Sequence, residues 1–158
     1  MVNNQDQIIG EARRSEVHGN PGLIHRVSHV LVFNSRGELY LQKRSLTKDV
    51  QPGKWDTSVG GHLDKGESYL EAAKREMKEE IGIETDDIQF LYKYLHSNQY
   101  ESEYVSTFHC LWDGVIMVNE DEIAEGKFWT LDEIMQQSDL GCFSPNFMDE
   151  LSRYIKYA

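Results

Sequence analysis

Residues 61–83 read GHLDKGESYLEAAKREMKEEIGI and contain the strongest helix pattern in the chain. Ser68 with Glu71 three residues later forms a capping-box pattern, which begins a helix by satisfying free backbone N–H groups. Gly82 stands where a helix commonly ends in a left-handed residue. We therefore predict a helix over residues 68–81. Apolar residues recur along it at helical spacing, which predicts a buried stripe formed by Leu70, Ala73, Met77 and Ile81.

Three glutamates lie on the helix face opposite this apolar stripe. Glu76, Glu79 and Glu80 follow the spacing i, i+3 and i+4, so their side chains meet on one side of the helix. Crowded like charges cost stability unless a cation neutralises them, and Mg²⁺ prefers carboxylate oxygens. Arg75, between Glu67 and Glu79, is placed to hold a carboxylate through a bidentate contact. A solvated, salt-bridged helix face is the alternative explanation of these charges.

The spacing of the fixed positions favours the metal-binding explanation. From Gly61 there are five residues to Glu67, seven more to Arg75-Glu76, and then a Glu-Glu pair followed by Gly82. This pattern resembles the complete Nudix box, and every fixed position of that motif is matched over 23 residues. The resemblance implies the Nudix fold, an α/β (α+β) domain with a mixed β-sheet between helices. We expect one domain over residues 1–158, with an N-terminal extension at 1–24.

Resemblance to the Nudix family also implies an activity. It implies a Mg²⁺-dependent hydrolase, with Mn²⁺ as the other candidate metal, that cleaves a diphosphate bond in a nucleoside-diphosphate-linked or similar small molecule. Glu67 and Arg75 are expected to pair and brace the helix. The expected metal ligands are Glu76, Glu79, Glu80 and the backbone carbonyl of Gly61.

The general base is left open by the sequence. A carboxylate is expected to accept a proton from the attacking water, whose pKa the metal lowers. Family members differ in the carboxylate that does this. Glu76 and Glu80 are the candidates within the box, and Glu103 and Glu122 are candidates outside it.

The sequence before the box carries a second resemblance. Residues 42–62, QKRSLTKDVQPGKWDTSVGGH, are similar to type 1 isopentenyl-diphosphate isomerase, a Nudix-fold relative that moves a double bond. The likeness implies that Arg44 and Lys48 hold a diphosphate, although an edge-strand cation and a loop cation are equally ordinary explanations. It also implies a second metal site, with matching positions at His18, His25, His62, Glu101 and Glu103. Imidazole and carboxylate ligands suit a divalent transition metal or Mg²⁺. Separate surface histidines beside an acidic strand are the alternative.

Position 60 argues against isomerase activity. The isomerase requires an acid–base cysteine directly before its Gly-His pair, and this chain has Gly60 there. Glycine carries no ionisable group. Cys110 and Cys142 lie far apart, form no CxxC motif and are expected to be reduced thiols. We therefore rank hydrolysis above isomerisation, and a non-catalytic nucleotide-binding module third.

Composition restricts the partners. The chain has 158 residues and a formal net charge of −11, which disfavours nucleic-acid binding. No apolar run approaches the roughly 20 residues needed to span a bilayer. We expect a cytoplasmic enzyme without nucleic-acid or membrane partners, acting on a small-molecule diphosphate, with a homodimer as the candidate assembly.

Strand and helix patterns alternate along the rest of the chain. Ser144-Pro145 is a helix-start signal, with proline at the first helical position. His29 lies among apolar residues and is expected to be an ordinary core histidine. The predicted helices are residues 131–137 and 145–157, and the predicted strands are residues 25–34, 38–44, 55–59, 88–96, 104–112 and 127–130. This interleaving predicts a layered α/β domain on a mixed sheet.

Overall fold

The structure is a computed structural model that describes residues 1–10, 22–46, 53–99 and 101–157. Its helices are α1 (Tyr69–Ile81), α2 (Leu131–Gln137) and α3 (Pro145–Tyr157), with a 3₁₀ turn at Ser138–Leu140. Its strands are β1 (Ile24–Phe33), β2 (Leu39–Arg44), β3 (Trp55–Asp56), β4 (Val59–His62), β5 (Gln89–Ser97), β6 (Ser102–Leu111) and β7 (Ile123–Trp129). No helix in these ranges is long and apolar enough to cross a membrane.

Strand β1 is the centre of a mixed sheet. It pairs with β6 in parallel along its full length, from Ile24 opposite Ser102 to Phe33 opposite Leu111. It pairs with β4 in the antiparallel sense, and β2 continues the sheet through β3 and β7. The register sets His25 opposite Glu103, and it sets β4 beside the same part of β1. The sheet therefore brings together side chains from three separate parts of the chain.

Two apolar layers hold the helices on opposite faces of the sheet. Helix α1 packs Ala73, Met77 and Ile81 against sheet residues that include Val30 and Phe108. The other layer joins sheet residues to α2 and α3, and it contains Leu31, Leu41, Trp129, Ile134, Phe147 and Leu151. The predicted fold class, a mixed sheet between helices, is confirmed.

The predicted ends of α1 are confirmed in detail. The Ser68 side chain accepts a hydrogen bond from the Glu71 N–H at 3.1 Å, and the Glu71 carboxylate accepts one from the Ser68 N–H at 3.1 Å. Gly82 ends the helix in the left-handed region, with φ of 69°. These two signals begin and end the helix without help from distant residues.

Three details differ from the sequence predictions. Leu70 is 41% exposed, because Tyr69, four residues before Ala73, lies against the core in its place. The predicted strand 55–59 is two short strands, β3 and β4, which pair with different neighbours. Strand β7 begins at Ile123, four residues earlier than predicted, because Ile123 is buried and pairs with Arg44.

The first ten residues are anchored beside β1 and α1. Val2 is buried, and its N–H donates to a β1 carbonyl at 2.7 Å. The Asp6 carboxylate accepts hydrogen bonds from Arg26 at 2.8 Å, Tyr69 at 2.8 Å and Lys93 at 2.7 Å. Burial opposes ionisation, but these three donors lower the pKa of Asp6 below its usual value. The anchored segment forms part of the cleft described next.

Candidate active site

A cleft in two parts opens where β1, β4 and α1 meet. The wide cavity, about 860 Å³, lies between residues of the anchored N-terminal segment and the loop that leads into α1. The narrow cavity, about 120 Å³, is lined by strand residues and by residues 144 and 146 at the start of α3. The two share Gln42, Arg44, Gly60, Gly61, His62 and Glu80. The wide cavity is in the size range of small-molecule sites, and the narrow one is smaller than that range.

Arg75 organises the carboxylates at the wide cavity. Its Nε and Nη2 donate to both oxygens of Glu67, at 2.7 and 3.0 Å. Its Nη1 donates to Glu76 at 2.7 Å and to Glu79 at 3.2 Å, and Nη2 also reaches the carbonyl oxygen of His62 at 3.0 Å. These hydrogen bonds lower the pKa of Glu67 and raise that of Arg75. The guanidinium thus ties the loop to the carboxylate face of α1.

Gly61 leaves the space that Glu76 occupies. A Cβ atom at position 61 would lie 2.3 Å from Cδ of Glu76 and 2.6 Å from its Oε1. No side chain fits there without moving the carboxylate. The contact also explains why the motif has glycine at this position, since the Glu76 carboxylate packs directly against the backbone.

Glu80 is the buried member of the carboxylate face. It is 6% exposed, and its Oε1 accepts a hydrogen bond from Nε2 of Gln42 at 2.9 Å. Its Oε2 is buried and has no hydrogen-bond partner among the residues that the structure describes. Burial, and then the neighbouring Glu76 charge, raise the pKa of Glu80 well above its usual value. Burial likewise raises the pKa of Glu76.

This donor set fits a hard divalent cation. Two neighbouring carboxyls with raised pKa values, one with an oxygen lacking a partner, are unfavourable without added positive charge. Glu79 is more open, with 56% of its side chain exposed. Oxygen ligands on an accessible cleft wall, with room for water and phosphate, are the environment that Mg²⁺ prefers.

A second group of metal-ligating side chains lies in the same cleft. His25, His62 and Glu103, here called the histidine–glutamate cluster, each offer one ligand atom, and these atoms lie within 4.8 Å of one another. The two imidazole rings are stacked with centroids 4.4 Å apart, and Nε2 of His25 lies 3.1 Å from Oε2 of Glu103. Burial alone would raise the pKa of Glu103, but the His25 hydrogen bond and charge lower it to about 2.

Glu101 lies next to this cluster and faces the same narrow cavity. Nδ2 of Asn146, from α3, bridges the carboxylates of Glu101 and Glu103 at 3.3 and 3.1 Å. Burial, and then the Glu103 charge, raise the pKa of Glu101. Arg44 lines both cavities and lies 3.4 Å from Asp56. His18 and Lys48, the remaining predicted site residues, lie outside the described residues.

The cleft contains side chains that sequence reasoning did not single out. Gln42 positions Glu80, and Asn146 joins two carboxylates. Their contacts depend on strand pairing and on where α3 docks, for which the sequence carries no local signal. Glu122 lines the wide cavity and adds to the negative charge around Glu80.

The two cysteines lie away from the lining of the cleft. Cys110 is buried in the α1 layer, and burial raises the pKa of its thiol to about 11. Cys142 is half-buried, with its sulfur 3.8 Å from the carbonyl oxygen of Gln137. Gly60 lines both cavities and contributes no ionisable group.

Comparison with known proteins places the chain in a family. Residues 23–151 match the NUDIX domain, and the chain belongs to the Nudix family. It is 30% identical over 154 residues to an uncharacterized Nudix hydrolase of Pseudomonas aeruginosa, covering 98% of this chain and 90% of that protein. The uncharacterized Nudix hydrolase YfcD of Escherichia coli is 29% identical over 156 residues, covering 99% and 85%.

A solved structure has the same architecture. The crystal structure of DR0079 from Deinococcus radiodurans superposes with a TM-score of 0.82 at 28% identity, covering 97% of this chain and 95% of that one. The family, and the fold in which its motif forms a loop and helix, are thereby established. These comparisons show the Nudix family and do not show the isomerase-like subgroup.

Proposed function

We propose that this protein is a Mg²⁺-dependent hydrolase that cleaves a diphosphate bond in a nucleoside-diphosphate-linked or similar small molecule. Membership of the Nudix family, and its Nudix hydrolase relatives, make the chain a hydrolase of pyrophosphate bonds. The observation that supports the metal dependence is the pair of neighbouring carboxyls, half-buried Glu76 and buried Glu80, with raised pKa values and an oxygen of Glu80 lacking a described partner.

The residues of the box have different proposed roles. Glu76, Glu79, Glu80 and the Gly61 carbonyl would hold the metal, which when bound polarises the phosphoryl oxygens and lowers the pKa of the attacking water. Arg75 and Glu67 keep the helix and its leading loop in register. Gln42 fixes one oxygen of Glu80, and the other is buried without a hydrogen-bond partner among the described residues.

The directions of the pKa shifts support a general base within the box. A base accepts protons effectively when its pKa lies near the working pH. The Glu103 carboxyl, with a pKa of about 2, is poorly suited, whereas burial moves the pKa values of Glu76 and Glu80 upward. We therefore favour a base within the box, with Glu122 across the wide cavity as the remaining acid outside it.

We further propose that the histidine–glutamate cluster holds a second divalent cation. Imidazole nitrogens with a carboxylate oxygen are a normal donor set for a transition metal or Mg²⁺. Glu101, held by Asn146, is a further candidate ligand, and His18 completes the set that the isomerase resemblance implies. Arg44, between the two cavities, is the proposed diphosphate-binding cation, together with Lys48.

A release assay tests the proposed function. Candidate substrates are dinucleotides, nucleotide sugars, oxidised nucleotides and isoprenoid diphosphates, each incubated with and without Mg²⁺ and Mn²⁺. Glu79→Gln should lower turnover by about 100-fold or more, since several kcal/mol of metal assistance is lost. The control is Glu84→Gln, an exposed carboxylate paired with Lys78 outside the cleft.

Two outcomes would contradict the proposal. Full turnover by Glu79→Gln on a confirmed substrate would show that the site assignment is wrong. Absence of turnover on the whole panel, with measurable ligand binding, would identify a nucleotide-binding module instead.

Isomerisation is the second candidate function, favoured by the convergence of His25, His62 and Glu103. Because Gly60 supplies no proton, incubation with isopentenyl diphosphate and metal should yield no dimethylallyl product. Formation of that product, detected by chromatography, would reverse the ranking.

A further inference from the structure

Glu150, on α3, is fully buried at the centre of a network of hydrogen bonds. Its carboxylate accepts from Nδ1 of His29 at 2.8 Å, from Oγ1 of Thr107 at 2.8 Å and from the Tyr94 hydroxyl at 3.2 Å. The Tyr92 hydroxyl also donates to it. Burial alone would raise the pKa of Glu150, but these donors, His29 first, lower it. A buried carboxylate with this many donors remains ionised.

The opposite edge of the His29 ring faces the narrow cavity. Because Nδ1 is held by Glu150, Nε2 is directed away from α3, toward β4. A Cβ atom at Gly60 would lie 3.1 Å from Cδ2 of His29 and 3.3 Å from Nε2. Any larger residue at position 60 would crowd this edge. In the described parts of the chain, no hydrogen bond reaches Nε2.

The charges around His29 favour its protonated form. Burial lowers the pKa of an imidazole, but the hydrogen bond and charge of Glu150 outweigh it and raise the pKa of His29. Glu103 on β6 and Asp56 on β3 act in the same direction. With Nδ1 donating to Glu150, the protonated ring presents a second N–H, on Nε2, to the cavity.

The rest of the narrow cavity suits a phosphoryl group. Thr57 is buried and lines the cavity, and its hydroxyl has no hydrogen-bond partner among the described residues. Arg44 lines the cavity too. A volume of about 120 Å³ is too small for a nucleoside or sugar, whose sites start at roughly 300 Å³. Asp56, Glu80, Glu101 and Glu103 also line this cavity, so the donors and the size fit one anionic group of a larger ligand only together with the divalent cations proposed above.

We propose that His29 contacts the substrate, donating a hydrogen bond from Nε2–H to a phosphate oxygen seated in the narrow cavity. Glu150 is the positioning residue that fixes the ring and its charge. The inference rests on the proposed function, because the phosphate belongs to the diphosphate substrate. The proposal also assigns a function to Gly60, because a residue without a side chain leaves Nε2 of His29 accessible.

Binding of methylenediphosphonate, a diphosphate analogue that is not hydrolysed, tests the contact in the presence of Mg²⁺. Calorimetry should show binding about tenfold weaker for His29→Leu, as expected for a lost hydrogen bond to a charged group. His29→Gln, whose amide can donate from a similar position, should recover part of the affinity. The control is His109→Leu on β6, outside the cavity lining, which should bind as the unaltered protein does. Equal affinity for His29→Leu and the unaltered protein would overturn the proposal, as would no binding by the unaltered protein.

Nitrogen NMR of the unaltered protein, with ¹⁵N-labelled histidine, tests the donor directly and does not depend on whether a variant folds. At pH 7, His29 should carry protons on both ring nitrogens, and its Nε2–H resonance should shift when methylenediphosphonate is added. Glu150→Gln should remove the Nε2 proton, an effect that a purely structural role would not produce. A neutral His29 with a bare Nε2, or an unchanged proton in Glu150→Gln, would contradict the assignment.

The two proposals fail separately. If the protein binds the analogue through His29 but cleaves no diphosphate on the panel, the proposed function fails and this inference stands. If turnover is confirmed while His29→Leu binds the analogue normally, this inference fails alone.

Discussion

The carboxylate face of α1 and the histidine–glutamate cluster lie in one cleft but are assembled in different ways. Glu76, Glu79 and Glu80 come from a single helix within a 23-residue motif. His25 and Glu103 are separated by 78 residues and meet only through the parallel register of β1 and β6. A contiguous site can be found by counting residues, whereas the second site exists only once three strands are correctly paired.

The two regions also differ in their charge balance. Burial raises the pKa of Glu80, so its ionised form is unfavourable until a cation arrives. The His25 contact lowers the pKa of Glu103 to about 2, so that carboxylate already has a partner. A metal at the first site relieves repulsion, while a metal at the second must displace the hydrogen bond between His25 and Glu103. The predictions below separate these two behaviours.

The largest effect is expected from Gly61→Ala. Its Cβ would lie 2.3 Å from Cδ of Glu76, so the carboxylate must move by roughly an ångström. Displacements of that size cost about 100-fold in rate. Steady-state kinetics on a substrate from the panel measures the loss. Gly60→Ala is the matched comparison, because its nearest contact is 3.1 Å and its loss should be smaller. Equal losses would show that the Glu76 contact is unimportant.

Glu103→Gln should destabilise the metal-free protein at pH 7 by on the order of 2 kcal/mol. The pKa of Glu103 falls from 4.5 to about 2 on folding, so its stabilisation is present above pH 4.5 and is lost as pH falls through about 2. Urea unfolding of both proteins in EDTA measures the difference, which should shrink between pH 4.5 and pH 2. A constant difference over that range would argue against the pair with His25.

Glu80→Gln should act in the opposite sense and stabilise the metal-free protein at pH 7 by about 1 kcal/mol, since it removes a buried charge. Because folding raises the pKa of Glu80, the penalty is fully present above the raised value and disappears as pH falls from there to the ordinary value of 4.5. When the unfolding experiment is repeated with Mg²⁺, the cation should raise the free energy of unfolding of the unaltered protein more than that of the variant. Destabilisation by Glu80→Gln in EDTA would mean that this carboxylate supports the fold.

The success of the sequence predictions follows from how local each signal is. The capping box at Ser68, the end at Gly82 and the start of α3 were predicted correctly, because each is determined by a few neighbouring residues. The prediction that Leu70 is buried was wrong, because helical spacing alone does not determine which residue of the first turn contacts the sheet. Tyr69 occupies that place.

Predictions that depended on tertiary pairing were weaker. The resemblance to the isomerase pointed to His25, His62 and Glu103 as metal ligands. Their spacing in the sequence alone would not have predicted that these three residues lie together. The contacts of Gln42, Asn146 and Glu150 went unnoticed, because their partners are 38 to 121 residues away in sequence. His29 was expected to be an ordinary core histidine, and its ring is buried, but no local pattern in the sequence indicates its hydrogen bond to Glu150.

The parallel pairing of β1 with β6 has a consequence for how the protein folds. Its ten registered pairs cannot begin to form until the chain closes a loop of 78 residues. Closing so long a loop costs chain entropy before the contacts between the strands can stabilise it. Folds with many contacts between residues distant in sequence therefore fold slowly. Helix α1 has its own capping signals, whereas His25 and Glu103 meet only when this ladder has formed. A metal held between them would therefore bind only after β1 and β6 have paired in the correct register.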